Sequence, residues 1–139
     1  MKSFGGFFMR LWARIRPQPA TLGERAERLA ARYLQRRGYQ IVARRQRDGD
    51  GELDLVAVRD GVVVFVEVKC RRDDREHPAE AVDERKQRRI ASAANVFLRR
   101  HDLLEQPSRF DIISVIWPDD GPPRVQHLPH AFEAPPDAW

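Results

Sequence analysis

The chain holds a single cysteine, Cys70, among 139 residues. That excludes an intramolecular disulfide framework, leaves too few thiols for a zinc ribbon, and fits a reducing, cytoplasmic setting. No apolar stretch approaches the roughly 20 residues that span a bilayer. Internal repeats and low-complexity tracts are also missing, which removes solenoids and fibrous proteins. With 42% hydrophobic and 33% charged residues, the length suits one domain with one sizeable core.

The charge is unevenly spread. The formal total is +4, yet Met1 to Arg47 carries twelve Lys and Arg against two Glu, so the remainder is acidic. A basic half that meets phosphates and an acidic half that holds metal would suit a nucleic-acid enzyme. A solvated helix face built of Arg25, Arg28, Arg32, Arg36 and Arg37 accounts for the same residues.

Within the first 20 residues, Phe4, Phe7, Phe8, Leu11, Trp12 and Ile15 recur at helical spacing, with Arg10, Arg14 and Arg16 among them. Residues 4–15 therefore read either as a basic amphipathic helix, for a membrane surface or a protein partner, or as a disordered start. Arg10 and Arg14 interrupt the apolar run that a signal peptide needs. Pro17 and Pro19 close this extension. A domain is expected over residues 21–133, with residues 134–139 as a flexible tail.

Thr21-Leu22-Gly23-Glu24 has the spacing of a capping box, so a helix should start there and stop at Gly38. Tyr39 to Arg44 reads as a short strand, ahead of a turn through Asp48-Gly49-Asp50-Gly51. Two β-branched runs, Leu53 to Val58 and Val62 to Lys69, flank Arg59-Asp60-Gly61, and Asp-Gly between such runs is a strong hairpin signal. Asp83 to Arg100 is the second long helix, followed by strands at Phe110 to Trp117 and Arg124 to Leu128. The expected plan is α/β: a helix, three strands, a helix and two strands, with helices covering a mixed central sheet.

If Asp60 and Gly61 are the central residues of the turn, opposed pairs have constant summed numbers. Asp54 then faces Glu67, and Glu52 faces Lys69. A three-residue loop would shift that pairing by one. Opposed side chains share a sheet face with Cβ atoms about 4.5 to 5.5 Å apart, where two like charges destabilise each other. A hard divalent cation would compensate, because Mg²⁺ (or Mn²⁺) takes carboxylate and carbonyl oxygens and keeps several waters. Lys69 projects from the same face as Glu67 and would sit near a metal-bound water. An exposed amphipathic strand pairing with neighbouring arginines is the competing explanation.

Gly51-Glu52-Leu53-Asp54-Leu55-Val56, followed by Phe65-Val66-Glu67-Val68-Lys69-Cys70-Arg71, resembles the YraN family of bacterial proteins, a branch of the PD-(D/E)xK nuclease superfamily related to archaeal Holliday-junction resolvases. The likeness runs from about Gly23 to Phe132. It takes in Glu27 on the first helix, Ala81-Val82 with Lys86, Arg109-Phe110-Asp111 and Ala131-Phe132. Arg45-Gln46 departs from it, since the family usually carries Asn and then an aromatic residue, and Ala26 stands where a second glycine is common.

This resemblance implies a restriction-endonuclease-like core and Mg²⁺-dependent hydrolysis of DNA phosphodiesters, on branched or structured substrates. Asp54 and Glu67 would be metal ligands with the Val68 carbonyl, Lys69 would act on the attacking water, and Glu27 would be an outer ligand. Junction-cutting relatives suggest a homodimer by analogy.

From the residues alone, Glu27 could face the sheet or pair with an arginine one turn away. Lys86 projects from the apolar side of its helix and could either meet a phosphate or snorkel. Arg71 and Arg72 are natural phosphate contacts just past the catalytic strand. His101, His127 and His130 lack ligand-like spacing and read as ordinary surface or core histidines. A nucleic-acid-binding module that keeps the fold without turnover is the alternative to an enzyme.

Overall fold

A computed structural model describes residues 19–49 and 51–136. The amphipathic segment expected at residues 4–15 lies outside the described residues, as do Asp50 and residues 137–139.

Helix α1 spans Leu22–Arg36. The Thr21 hydroxyl accepts the Glu24 N–H at 3.1 Å and caps the helix. Its end is a Schellman motif: the Tyr39 N–H donates to the Leu34 carbonyl and the Gly38 N–H to that of Gln35, both at 3.1 Å. Gly38 makes this possible at φ +87°, the left-handed region that side chains disfavour.

Strands β1 (Gln40–Asp48), β2 (Gly51–Arg59) and β3 (Val62–Arg71) follow. A 3₁₀ turn over Pro78–Ala81 leads to helix α2 (Glu84–Arg100), capped by the Asp83 carboxylate, which accepts the Lys86 N–H at 2.8 Å. Strands β4 (Ser108–Ile116) and β5 (Arg124–Phe132) complete the chain. The sheet order is β1-β2-β3-β4-β5, and β3 and β4 alone run parallel, joined by the α2 crossover. This five-stranded mixed sheet with two helices is an α/β fold compatible with a restriction-endonuclease-like core. No helix among the described residues is long and apolar enough to cross a membrane.

Each face of the sheet carries one helix. Val63, Phe65, Phe110 and Ile112 pack with Ile90, Ala94 and Phe97 of α2. Val64, Val66, Ile113 and Val115 pack with Ala26, Ala30 and Leu34 of α1. The period-2 alternation of β3 and β4 sorts these residues between the two cores. By the same alternation, Glu67 falls on the α2 side. Gly51 lets β2 begin directly against α2: a Cβ there would lie 2.4 Å from the Arg89 carbonyl oxygen, closer than any side chain tolerates.

All five strands exceed their expected bounds, β2 and β3 by only one or two residues at an end. β1 runs four residues past Arg44 because its charged stretch still pairs with β2, Arg47 opposite Glu52 and Asp48 opposite Gly51. β4 starts at Ser108 and ends one residue before Trp117. β5 continues to Phe132 through a bulge, its pairing passing from Ile112↔Leu128 to Phe110↔Phe132. Pro129, which has no N–H to donate, sits in that bulge, where none is required. Ala134 packs against the α2-side core.

Candidate active site

The hairpin turn is the expected one. Asp60 at φ 52° and Gly61 at φ 76° form the two-residue connection with both central φ angles positive, and Arg59 pairs with Val62. The constant-sum register holds through Leu55↔Val66, where the β2/β3 ladder ends. Asp54 and Glu67 are the next residues. Leu53 and Leu55, which an even pleat would place on one face, belong to opposite cores, so the alternation of β2 breaks at Asp54. The Asp54 carboxylate fills the break by accepting the Val68 N–H at 2.8 Å.

Asp54 and Glu67 line one cleft of about 720 Å³ between the start of β2 and the first turns of α2. Its other walls include Arg47, Arg85, Lys86 and Arg89. Glu67 is only 5% exposed, and two lysines meet its Oε1, Lys86 at 2.5 Å and Lys69 at 3.5 Å. Part of the like-charge cost that the sequence assigns to a metal is thus met by these ammonium groups. The pairing of Lys86 with Glu67 settles its orientation: it turns into the cleft instead of snorkelling.

Burial, then the Glu67 charge, pushes the Asp54 carboxyl up to about 8, against the lowering effect of the Val68 N–H. Burial and the neighbouring Lys86 ammonium lower Lys69 from its ordinary value. Lys86 moves the other way: burial opposes its charge most strongly, but its bonds to Glu67 and Lys69 and the Glu67 and Asp54 charges together outweigh that and raise it. One lysine is therefore tuned toward losing its proton while its neighbour holds the charge on Glu67.

The remaining candidates disperse. Arg45 Nε donates to Glu27 Oε2 at 2.7 Å and its Nη1 stands 3.4 Å from Glu24, so Glu27 is engaged by an arginine while its charge still raises Asp54 slightly. That arginine comes from β1, not from the adjacent turn of α1. Arg45 itself sits at φ 48°, a left-handed conformation that Asn enters more readily. Arg71 donates to the Glu76 carbonyl and to Gln126, and Arg72 lies 3.8 Å from Asp119. Both line a separate pocket beside Cys70 and Trp117. Cys70 is half-buried against the α1-side core, and burial raises its thiol pKa.

Sequence reasoning reads Arg85, Arg88 and Arg89 as a basic helix face indistinguishable from plain surface, and two of them, Arg85 and Arg89, line the cleft. Their i, i+4 spacing, beside Lys86 and just after the Asp83 cap, was the available signal. It also missed His127 and His130, whose carboxylate partner Asp111 lies 16 and 19 residues away.

Two carboxylates and a nearby main-chain carbonyl are hard oxygen donors, and no cluster of three or more His, Cys, Asp or Glu residues gathers with metal-holding geometry among the described residues. That set leaves coordination positions for water, which suits Mg²⁺ and not the N/S sites of zinc.

The model of the Uncharacterised protein family UPF0102 matches residues 26–115. A UPF0102 protein of Rhodopirellula baltica is 46% identical over 120 residues, covering 83% of this chain and 72% of its own. One from Symbiobacterium thermophilum is 45% identical over 114 residues, covering 81% and 97%. One from Geotalea uraniireducens is 44% identical over 115 residues, covering 81% and 90%. The chain belongs to the UPF0102 family. The YraN-like resemblance holds at the level of that family, and the matched span includes Glu27, Asp54, Glu67, Lys69 and Lys86.

Proposed function

We propose that this UPF0102 member is a Mg²⁺-dependent endonuclease of the PD-(D/E)xK type that hydrolyses DNA phosphodiester bonds. The observation that carries the reading is the pairing of two carboxylates, Asp54 and Glu67, in one solvent-open cleft that Arg47, Arg85, Lys86 and Arg89 share with Glu52 and Asp83, with Lys69 reaching Glu67 Oε1 at 3.5 Å. Asp54 and Glu67 would hold the ion with the Val68 carbonyl. When bound, the ion lowers the pKa of a coordinated water and neutralises charge at the phosphate.

The residues themselves supply the rest. Lys69, its pKa lowered by burial and by Lys86, holds or accepts a proton of the attacking water. That oxygen forms the new bond to phosphorus as the P–O bond to the leaving sugar breaks. Arg85, Lys86 and Arg89 present positive charge from one helix to the flanking phosphates. Glu27, bridged to Arg45, acts on Asp54 through its charge at a distance.

The test is cleavage of linear, single-stranded, flapped and four-way DNA with Mg²⁺ or Mn²⁺. Asp54→Ala and Lys69→Ala should each lower the rate by about a hundredfold or more. Cleavage that survives both substitutions rejects this centre. The second reading, a non-catalytic nucleic-acid-binding module, rests on the 2.5 Å contact by which Lys86 satisfies Glu67 without a metal. Salt-sensitive binding without cleavage of any substrate would favour it.

A further inference from the structure

We propose that a second cavity, at the far end of the sheet, binds a phosphate-bearing anion. It measures about 490 Å³, and its lining includes Arg37, Arg59 and Arg109 together with Tyr39, His127 and one carboxylate, Asp60; His130 also lines it. Arg37 follows α1, Arg59 ends β2, Arg109 enters β4, and both histidines lie on β5. Three guanidinium groups from separate elements therefore converge on one concavity, which a solvated helix face does not produce.

These cations are not equally compensated. Arg109 is neutralised by Asp111, which is 0% exposed and accepts from Nε at 3.0 Å and Nη2 at 3.3 Å, and Nη2 also donates to the Tyr39 hydroxyl at 2.6 Å. Arg59 meets the exposed Asp60 at 3.5 Å and stands 5.0 Å from the centroid of the Tyr39 ring. Arg37 has no carboxylate partner among the described residues; it stacks 3.6 Å above the Tyr33 ring and donates to the Tyr33 carbonyl at 3.2 Å.

Two guanidiniums are thus held near tyrosine rings; Asp60, itself a lining residue, offsets Arg59 from an exposed position, and the charge of Arg37 is left without a carboxylate among the described residues. Stacking on a ring occupies a guanidinium's face and leaves its in-plane N–H edge for an oxyanion, the fork that phosphate oxygens match. A tetrahedral phosphoryl group offers oxygens in several directions, as cations arriving from separate elements require. A planar carboxylate would be satisfied by one arginine.

The floor of the cavity is fixed. Asp111 also accepts from His127 Nε2 at 2.7 Å and from the His130 N–H at 3.1 Å. His130 takes φ 50° inside the β5 bulge, a costly conformation that persists only where its surroundings enforce it. The Asp111 network makes that enforcement, so Arg109, His127 and His130 present a preorganised wall, and Arg37 and Arg59 line the same cavity from other elements.

The phosphoryl group could belong to inorganic phosphate, a nucleotide or a strand end. The full chain is titrated in EDTA at constant ionic strength with inorganic phosphate, deoxyadenosine monophosphate, and one short oligonucleotide with and without a 5′-phosphate. NMR then follows backbone and arginine side-chain signals. Shifts are expected at Tyr39, Arg59 and His127. Arg37→Ala/Arg59→Ala should weaken the dissociation constant about tenfold or more. Arg32→Ala/Arg99→Ala, which removes equal charge from exposed positions elsewhere, should change it by less than about twofold.

Arg59→Lys keeps the charge, loses the fork and should also weaken binding, with an unchanged thermal midpoint showing that the fold is intact. The tightest probe identifies the source. The site is rejected if no probe moves these signals, if only cleft signals at Asp54 and Lys86 move, or if the two double variants behave alike.

Discussion

Asp54 and Asp111 are both carboxylates drawn out of water by the same sheet, yet Asp54 is pushed up to about 8 while Asp111 is held below the ordinary 3.8. Burial raises both, and it is the largest influence on each. What differs is the company. Asp111 collects donors from Arg109, His127 and the His130 N–H, which together outweigh the burial. Asp54 has one N–H from Val68 and a second carboxylate beside it. A buried acid given donors on every side serves the fold. One left facing another acid is held in a state that only a bound cation or a proton relieves.

The first way to break this comparison is to delete each acid in turn. Asp111→Ala leaves Arg109 and His127 without their carboxylate, and removing one member of a buried pair costs about 3 to 5 kcal/mol. Asp54→Ala removes a carboxyl that burial and Glu67 disfavour in its charged form, at the loss of the bond from the Val68 N–H, and should be near neutral. Urea denaturation of the two variants, at neutral pH and in EDTA, measures both. Equal losses would show that the two acids are alike after all.

The two shifts also predict pH dependences of opposite sign. Asp54 has its folded value raised, so its contribution is fully present below about 3.8, its unfolded value, and is lost as pH rises toward about 8. Asp111 has its folded value lowered, so its contribution is present above 3.8 and is lost as the solution becomes more acid than that. Against wild type, Asp54→Asn should therefore gain stability steadily between pH 4 and 8, by on the order of 1 to 3 kcal/mol. Asp111→Asn should lose its disadvantage only in strong acid. Unfolding free energies across pH, again without divalent ions, would show curves that diverge in opposite directions; parallel curves would sink the assignment.

How far the sequence foretold these regions follows from the range of the interactions. Caps, turns and β-branched runs act within a few residues, so Thr21, Gly38, Asp60-Gly61 and Asp83 located both helices and the central hairpin. The turn alone fixed the register as far as Leu55↔Val66, and Asp54 comes near Glu67 one residue beyond that ladder, at a break in the pleat that the turn did not foretell. What periodicity hid was polar: the charged end of β1, which pairs without an apolar pattern, and the β5 bulge around Pro129. The Asp111 cluster was out of reach, because Tyr39 and Arg109 meet across 70 residues. Lys86 was recognised as facing inward, but its partner Glu67 lies on another element.

The smallest effect expected is at the edge between the two regions, where Arg45 ties Glu27 to α1 and β1. Arg45→Asn removes two ion pairs whose arginine is 44% exposed, and such surface pairs are worth about 0 to 1 kcal/mol. It also replaces a bulky side chain at φ 48° by one that enters the left-handed region more easily, a gain of similar size. The net change in stability should stay within about 0.5 kcal/mol by urea denaturation. The consequence for the cleft is the informative part. With its arginine gone, Glu27 would be an uncompensated negative charge near Asp54, raising that carboxyl further and increasing the affinity for a divalent cation. Calorimetric titration with Mn²⁺ should detect tighter binding in Arg45→Asn and none of that gain in Arg45→Asn/Glu27→Gln. An unchanged affinity would confine Glu27 to holding α1 on the sheet edge, leaving Asp54 and Glu67 as the whole carboxylate set.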